Sequence, residues 1–310
     1  MKVHYGINDL QKPDYAVVTS GTFDGVHLGH QKILNRLKEI CRQNPLAQSV
    51  VLTFHPHPRT VVSDQYALQL LSTLDEKIEK LANLGIDHLV VIPFNKEFSQ
   101  QSSEEFVQNV LVNALNTKKL VIGYDHRFGK NREGSFEHLK ENEKKYGFEV
   151  EEIPQQDLEN VAVSSTKIRN ALQNGNILLA NQFLASPYTL TGEVVKGDQI
   201  GRKIGFPTAN LKVSDPYKLI PVDGVYAVKV RIQDKKYLGM LYIGKRSTIG
   251  ENLAKVIETN IFDFEQDIYG KTITLELIQQ IRADQKFENL QAIQIQLALD
   301  KKKSLKILKR

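Results

Sequence analysis

The sequence predicts two domains of different fold class: an α/β domain with a parallel sheet, then an antiparallel β domain that ends in a helix. Through about residue 185, apolar runs alternate with amphipathic runs, as strands and helices do in parallel α/β sheets. From Tyr188 onward, apolar residues alternate in short segments separated by glycine and aspartate, which is typical of a compact antiparallel barrel or sandwich. A chain of 310 residues, 41% of them hydrophobic, is long enough for two separate cores.

The first half begins with a predicted strand at 15–19 and a predicted helix at 28–43. Capping-box patterns at 73–76 and 102–105 mark two further helix starts. Because the carboxyl ends of parallel strands share one edge of a sheet, we expect ligands to bind there. The run Ala185-Ser186-Pro187 predicts the joint between the domains. The other predicted elements are strands at 49–54, 88–94, 119–123 and 148–152 and helices at 104–115, 136–146, 166–173 and 177–184.

The second half contains five predicted strands, at 189–195, 224–232, 236–243, 255–262 and 271–278. A final helix at about 289–308 follows. We expect it to direct Leu290, Ile293, Leu297 and Leu299 towards the β domain and its lysines towards water.

Charge and cysteine content limit the class of protein. Much of the net charge of +5 comes from the basic run 301–310, which we interpret as a solvated helix face because no aromatic residues are interleaved with it. The alternative, RNA binding, predicts affinity that depends strongly on salt. The single cysteine, Cys41, excludes disulfides within the chain. No apolar stretch approaches the roughly 18 residues of a membrane span, so we expect a cytoplasmic protein with neither nucleic-acid nor membrane partners.

The stretch 21–30, Gly-Thr-Phe-Asp-Gly-Val-His-Leu-Gly-His, lies between the first predicted strand and helix. A glycine loop that opens a helix presents backbone N–H groups and the positive end of the helix dipole, which favours phosphate. His27 and His30 lie three residues apart, where both rings could contact an anion. The spacing matches neither the dinucleotide fingerprint nor the P-loop. The stretch therefore predicts an anion site whose two histidines neutralise charge in a displacement at phosphorus.

Three more polar segments of the first half carry candidate ligands. Segment 54–59, Phe-His-Pro-His-Pro-Arg, fits a metal half-site or a plain loop better than a catalytic group. Segment 123–132 combines Asp125 with three cations and two glycines. Segment 164–169, Ser-Ser-Thr-Lys-Ile-Arg, places three hydroxyls at a helix start, where a cap alone needs one. Its Lys and Arg can reach phosphate.

Two features of the second half point to chemistry. Segment 197–210 places three glycines at a spacing of four before a Thr and an Asn, although strand bends also use glycine. Glu258 is an unexpected charge in an otherwise apolar predicted strand; the alternative is a glutamate that faces solvent on alternate positions.

These segments, in this order, resemble the bacterial bifunctional riboflavin kinase/FMN adenylyltransferase family, also called FAD synthetase, along nearly the whole chain. The resemblance rests on His-x-Gly-His at 27–30, Pro-His-Pro at 56–58, Gly-x-Asp-x-Arg-Phe-Gly at 123–129, Ser-Ser-Thr-x-Ile-Arg at 164–169 and Gly-Phe-Pro-Thr-Ala-Asn at 205–210. It implies a Rossmann-like nucleotidyltransferase domain over 1–185 that joins FMN to ATP, and a riboflavin kinase β-barrel domain over 186–310 with a C-terminal helix. Riboflavin and FMN are the implied substrates, ATP the co-substrate and Mg²⁺ the cofactor.

The resemblance also implies site residues. Glu258 is the kinase base that takes the proton from a ribityl hydroxyl, while FMN already carries an anionic phosphate and needs only alignment and charge neutralisation. His27, His30, Lys167 and Arg169 supply the positive field, and Thr208 and Asn210 hold the Mg²⁺–nucleotide. The implied nucleotide or phosphate ligands are Gly21, Phe23, Asp24, Gly25, Gly29, Ser164, Ser165, Thr166, Lys167, Arg169, Gly201 and Gly205, and the implied flavin ligands are His57, Asp125, Arg127 and Phe128.

Four positions depart from the family pattern as we expect it. His55 stands where an acidic residue is usual, His126 stands for Phe, Ser247 for Pro and Asn260 for His. Three of these departures, His55, His126 and Asn260, motivate an alternative function, a flavin- or nucleotide-binding regulator with reduced or lost turnover.

Overall fold

The computed structural model describes residues 1–8, 10–62, 68–154, 163–197, 200–245 and 255–309. The chain divides into two compact units, Met1–Ser164 and Ser165–Arg310, and each is described by itself. The helices at 165–184 belong to the second unit because they contact its strands; for example, the Asn181 side-chain amide donates to the Leu277 carbonyl over 2.9 Å. The joint predicted after residue 185 therefore does not coincide with this division.

The first unit, within the described residues, has six strands: β1 Lys2–Tyr5, β2 Tyr15–Ser20, β3 Ala47–His55, β4 His88–Pro93, β5 Thr117–Gly123 and β6 Glu149–Ile153. They form one sheet in the order β1-β4-β3-β2-β5-β6, and every neighbouring pair is parallel. The predicted parallel α/β domain is confirmed. Its helices are α1 Leu28–Gln43, α2 Pro58–Val62, α3 Leu74–Asn83, α4 Ser103–Phe106, α5 Phe136–Glu141 and α6 Glu143–Tyr146, with a π-helix at Val107–Ala114 and 3₁₀ turns at Phe98–Gln100 and Lys130–Arg132.

Both faces of this sheet are buried. Along β2, Val17 packs with Leu34 and Leu37 of α1, while its neighbour Val18 packs in a second cluster with Phe106. Successive side chains of a strand point to opposite faces, so a strand that is buried at nearly every position needs cover on both sides. The helices supply that cover and leave the strand ends for ligands.

The order of the strands places one crevice at the carboxyl edge. From β2 the chain builds outward through β3 and β4 on one side, and then returns to add β5 and β6 on the other. The order therefore reverses between β2 and β5, and open α/β sheets bind ligands at such a point. The loops that follow these two strands begin at Gly21 and Tyr124, so both lead from this crevice.

Some local predictions for the first unit need correction. The helix predicted at 104–115 begins as α4 but continues as a π-helix, and the helix predicted at 136–146 is interrupted at Asn142. Strand β1 and helix α2 were not predicted. Both capping boxes are confirmed, with reciprocal hydrogen bonds between Thr73 and Glu76 and between Ser102 and Glu105.

The second unit begins with α7 Ser165–Gln173 and α8 Ile177–Leu184. Its strands are β7 Tyr188–Val195, β8 Ala209–Lys212, β9 Gly224–Ile232, β10 Lys235–Lys245, β11 Lys255–Ile261 and β12 Thr272–Ala283, with a short helix α9 at Ile200–Lys203 and the long helix α10 at Leu290–Leu308. The strands close into an antiparallel barrel in the order β10-β11-β8-β7-β12-β9, which confirms a barrel and not a sandwich.

Helix α10 packs on the outside of this barrel, and only in part through the predicted face. Leu297 packs against the barrel cluster of Val225, Met240 and Phe262, as predicted. Leu290 and Leu299 are 56% and 50% exposed, which corrects their predicted contact with the barrel. The fully buried side chains of the helix include two polar residues, Asp300 and Ser304. Asp300 accepts a hydrogen bond from Arg282 of β12 over 2.9 Å, so a buried ion pair fixes the helix to the barrel.

Candidate active sites

The two histidines of the glycine loop stack on each other at the start of α1. His27 is the N-cap, and its Nδ1 accepts the His30 backbone N–H at 3.4 Å. The rings lie 3.7 Å apart with an angle of 15° between their planes. Gly29 makes this possible, because a Cβ there would lie 3.2 Å from Cε1 of His27. The pair thus lies at the positive end of the helix, as predicted.

The acidic residue of the loop has a structural task. The Asp24 carboxylate is 4% exposed and accepts the backbone N–H groups of Leu71 and Ser72 at 2.8 and 3.2 Å. The Ser72 hydroxyl in turn accepts the Gly25 N–H at 3.0 Å. These bonds attach the loop to the segment before α3. The Asp24 carboxylate and the Gly25 N–H therefore hold the loop in place, and their role as phosphate ligands stays a prediction.

The rest of the loop is closely packed. Gly21 donates its N–H to the Leu52 carbonyl and so continues the sheet ladder, and a Cβ on it would lie 3.3 Å from the Phe23 ring. Phe23 is 2% exposed and meets the His30 ring edge to face at 5.2 Å. Gly21 and Phe23 thus shape the pocket wall around His30.

Electrostatics make His30 a neutral group. Burial first, and then electrostatic interaction with His27 and Lys77, hold the pKa of His30 well below its usual value of 6.5. Its buried Nδ1 has no hydrogen-bond partner among the described residues. A neutral ring with an unused polar atom offers a hydrogen bond to a ligand, and it does not provide the positive charge that we predicted for it.

The Pro-His-Pro segment follows β3 directly. His55 is the last residue of that strand and lies opposite Pro93, so the strand continues further than predicted. Nδ1 of His57 accepts the Arg59 N–H at 3.2 Å at the start of α2. His57 thus caps a short helix at the carboxyl edge of the sheet. The strand before it, β3, is the neighbour of β2, which the glycine loop follows.

The loop after β5 mixes surface and core residues. Asp125 and Arg127 are exposed, and Arg127 lies 3.8 Å from the carboxylate of Glu137. Phe128, in contrast, is 8% exposed and packs against Phe106 in the core, and its contact with the flavin stays a prediction. Burial lowers the pKa of His126 to about 4, so that ring is neutral at pH 7.

The residue just before the hydroxyl-rich segment lies beside the start of α1. A Cβ on Gly29 would lie 4.0 Å from the Val163 carbonyl, which places the chain just before Ser164 beside α1. Helix α7 begins at Ser165, with Ile168 buried and Thr166 and Lys167 exposed. The grouping of Ser165, Thr166, Lys167 and Arg169 with the two histidines stays a prediction, since these four residues belong to the second unit.

On the barrel, Glu258 and the Thr-Ala-Asn segment come together. Glu258 of β11 lies directly opposite Asn210 of β8, and the Thr208 hydroxyl donates to Oε2 of Glu258 at 3.3 Å. Residues opposite each other on antiparallel strands share a face, so all three groups point the same way. Asn260, which is 7% exposed, donates its side-chain amide to the Pro207 carbonyl at 2.7 Å. That bond fixes the segment which carries Thr208.

The glycines of this segment have distinct tasks. Gly201 accepts the N–H groups of Ile204 and Phe206, and a Cβ on it would lie 2.3 Å from the Phe206 carbonyl. Gly205 has a φ of +81°, a conformation that favours glycine. A Cβ on Gly197 would meet the Asn210 amide at 2.3 Å. The predicted site glycines are therefore needed for a tight turn in front of Thr208. Ser247 lies outside the described residues.

A basic cavity of about 430 Å³ opens beside Asn210. Four lysines line it: Lys196, Lys212, Lys218 and Lys255. Lys218 is only 4% exposed and lies 4.3 Å from the centre of the Tyr188 ring. A cluster of lysines around a cavity of this size suits a polyphosphate.

Comparison with known proteins assigns a family to each half of the chain. A family model described as FAD synthetase matches residues 9–167, and one described as riboflavin kinase matches residues 184–308. The bifunctional riboflavin kinase/FMN adenylyltransferase of Listeria monocytogenes is 42% identical over 288 residues, which are 92% of this chain and 90% of that protein. The chain belongs to this family.

Further relatives of the family cover the chain as fully. The bifunctional riboflavin kinase/FMN adenylyltransferase of Bacillus subtilis is 38% identical and covers 94% of this chain and 92% of its own length. A crystal structure titled as a macrolide-efflux protein from Streptococcus pneumoniae has a TM-score of 0.84 at 32% identity and covers 98% of both chains. Within the described residues, none of the helices is both long and apolar enough to span a bilayer.

For this family member, sequence patterns did not single out several residues that lie near the two candidate sites. Lys77, Ser72 and the cavity lysines belong to no recognised motif. Lys77 is preceded by Glu76 and followed by alternating charges, a pattern that is typical of a solvated helix. The capping box at 73–76, just before Lys77, was the signal in the sequence that helix α3 begins beside the glycine loop.

Proposed function

We propose that the barrel phosphorylates riboflavin to FMN and that the parallel-sheet unit adenylylates FMN to FAD, with ATP as co-substrate in both steps. The observation that supports the first assignment most directly is the contact between Glu258 and Thr208 on one face of the barrel, opposite Asn210. We also propose a cytoplasmic location and small-molecule partners only, in keeping with the single cysteine and the nucleotide substrate.

In the kinase step, Glu258 takes the proton from the ribityl 5′-hydroxyl as its oxygen bonds to the γ-phosphorus of ATP. The bond between that phosphorus and the β-bridging oxygen breaks, which releases ADP. The cavity with Lys196 and Lys212 binds the polyphosphate. Asn260 holds the segment that carries Thr208, so it positions the nucleotide side of the site.

The donor set of the barrel suits Mg²⁺. Thr208 and Asn210 offer a hydroxyl and an amide oxygen beside the Glu258 carboxylate, and hard cations prefer such oxygen ligands. The described residues contain no cluster of three or more His, Cys, Asp or Glu side chains for a metal held by protein alone. We propose that Thr208 and Asn210 hold Mg²⁺ together with ATP, where it would neutralise charge on the phosphate oxygens.

In the adenylyl transfer, an FMN phosphate oxygen attacks the α-phosphorus of ATP and pyrophosphate leaves. The attacking oxygen is already an anion, so the site needs alignment and charge stabilisation. His27 and His30 donate hydrogen bonds to phosphate oxygens at the N-terminus of α1. We propose that His57, Asp125 and Arg127, which follow β3 and β5 at the carboxyl edge, contact the flavin.

Two variants separate the activities. Glu258→Gln is expected to lower FMN formation from riboflavin by at least about 10²-fold while FAD formation from supplied FMN is unchanged. His30→Ala is expected to do the reverse, with a loss of about 10²-fold or more in FAD formation. Products are separated chromatographically after incubation with ATP and Mg²⁺. Loss of both activities in either variant would contradict the assignment of two separate sites, and a wild-type protein that formed neither product would instead be a binding protein.

A further inference from the structure

Lys77 is buried directly under the glycine loop. It is 7% exposed, and its ammonium donates to the Thr53 hydroxyl at 3.4 Å. Thr53 is fully buried at the end of β3 and donates in turn to the Thr22 carbonyl at 3.3 Å. A chain of two hydrogen bonds therefore connects the ammonium to the backbone of the loop that begins the adenylyltransferase site.

The charge of Lys77 lacks the partner that a structural lysine normally has. Within the described part of the chain, no carboxylate comes within 4.0 Å of the ammonium. Asp24 attracts it from a greater distance, but the Asp24 carboxylate accepts the N–H groups of Leu71 and Ser72. The neighbouring Glu76 accepts the Thr73 N–H at 3.1 Å as part of the helix cap. A buried, poorly paired charge destabilises a fold.

Burial also favours the neutral form of the group. Burial lowers the pKa of Lys77 from 10.5 to about 8, with Asp24 opposing the shift. The ammonium is thus charged at pH 7 and becomes neutral only above about pH 8. A methionine of similar length would fill the same space without this cost, so stability alone does not explain a lysine here.

The groups that face Lys77 explain better why a lysine stands at this position. From α1, His30 is neutral, and the charge of Lys77 is one of the causes. A buried positive charge therefore lies beneath the glycine loop, close enough to act electrostatically on His30. We propose that Lys77 is a positioning residue of the adenylyl transfer, whose ammonium fixes the glycine loop through Thr53, keeps His30 neutral and stabilises the negative charge of the reacting phosphates. This inference rests on the proposed role of the loop in FAD formation.

The decisive experiment measures activity and stability of Lys77→Met in the full chain, because the two quantities should move in opposite directions. FAD formation from FMN and ATP should fall roughly tenfold or more, somewhat less than for loss of a direct donor. The unfolding transition of the parallel-sheet unit is identified as the one whose temperature FAD raises. In Lys77→Met this transition should move upward by roughly 2–4 °C at pH 7, because a buried charge is gone. FMN formation in the barrel serves as the internal control and should not change.

A pH profile adds a readout that a purely structural role would not move. In the wild type, FAD formation should decline above about pH 8 as Lys77 loses its proton. Lys77→Arg keeps its charge at that pH and should shift the decline upward. Lys77→Met should be slow throughout, with no decline near pH 8.

Two matched variants complete the test. Thr53→Val keeps the shape but removes the hydroxyl that binds the ammonium, so FAD formation should fall severalfold. Lys38→Met removes a lysine that donates to the Leu84 carbonyl at the far end of α3, and FAD formation should be unchanged.

Near-normal FAD formation by Lys77→Met would overturn the inference, and so would a loss of activity accompanied by a lower unfolding temperature. If His30→Ala also kept its activity, the proposed adenylyltransferase site would fail as a whole. If only Lys77→Met kept it, the inference about Lys77 would fail alone.

Discussion

Gly29→Ala tests whether the stacked histidines depend on the absence of a side chain between them. The new Cβ would lie 3.2 Å from Cε1 and 3.3 Å from Nδ1 of His27, closer than ordinary contact. The ring must therefore move by a few tenths of an ångström. That movement lengthens the hydrogen bond from the His30 N–H, which already measures 3.4 Å.

The effects on stability nearly cancel. Alanine favours the helix over glycine by about 0.8–1 kcal/mol, and a weakened N-cap costs about 0.5–2 kcal/mol. The net change is within about 1 kcal/mol, or a melting-temperature shift of roughly 2–4 °C at most. Activity should respond more, because misplacing a reacting group by about 1 Å can cost about 10²-fold. For a few tenths of an ångström we expect FAD formation to fall about threefold to tenfold.

The assay compares FAD formation from FMN with FMN formation from riboflavin in the same preparation, alongside calorimetry. Only the first rate should change. Unchanged FAD formation would refute the argument that the position of the His27 ring matters, and a melting temperature many degrees lower would show that the loop itself had collapsed.

Two further predictions concern stability. The folded pKa of His126, about 4, lies below the unfolded value of 6.5, so the unfolded chain binds the proton first and stability falls as pH drops through that window. In urea unfolding, the free energy that His126→Phe loses between pH 6.5 and 4 should be smaller than the wild-type loss by up to about 3 kcal/mol. Identical pH profiles for the two proteins would contradict this. Arg282→Met leaves the Asp300 carboxylate buried without its partner and should destabilise the barrel by roughly 3–5 kcal/mol, whereas Arg282→Met with Asp300→Leu should recover most of the loss; a neutral single variant would mean that the ion pair does not fix the helix.

The architecture was accessible from the sequence because its signals are local. Helix α8 at Ile177–Leu184 and strand β9 at Gly224–Ile232 have the predicted bounds. Each combines a clear apolar period with glycine or proline at its ends. Short elements without such a period were not predicted, among them β8 at Ala209–Lys212, which carries the polar Asn210 of the candidate barrel site.

The contacts of the site were less accessible, because they join residues far apart in the chain. Asp24 in a glycine loop suggests a ligand contact, and only the fold brings Leu71 and Ser72 to its carboxylate. Phe128 in a polar loop suggests a flavin contact, but its ring packs on Phe106 in the core. A sequence shows which chemistry is present, while tertiary packing decides whether that chemistry faces a ligand or the protein itself.

Helix α10 shows the same limit in a different form. Leucine positions predicted its buried face, and Leu297 does pack against the barrel, yet Leu290 and Leu299 are exposed and the residues without exposure are Asp300 and Ser304. The partner of Asp300 is Arg282, on the strand before the helix. An ion pair can replace apolar contact only where both partners are buried together, and helical periodicity contains no information about the partner.

The hydrogen bond from the His30 N–H to His27 also determines where a proton resides. A backbone N–H can only donate, so Nδ1 of His27 must be the unprotonated nitrogen, and a neutral imidazole then carries its hydrogen on Nε2. The fold of the first helical turn thereby selects one tautomer of the ring and leaves Nε2–H as the donor for a phosphate oxygen. Helix initiation and the chemical identity of the donor are thus two results of one contact.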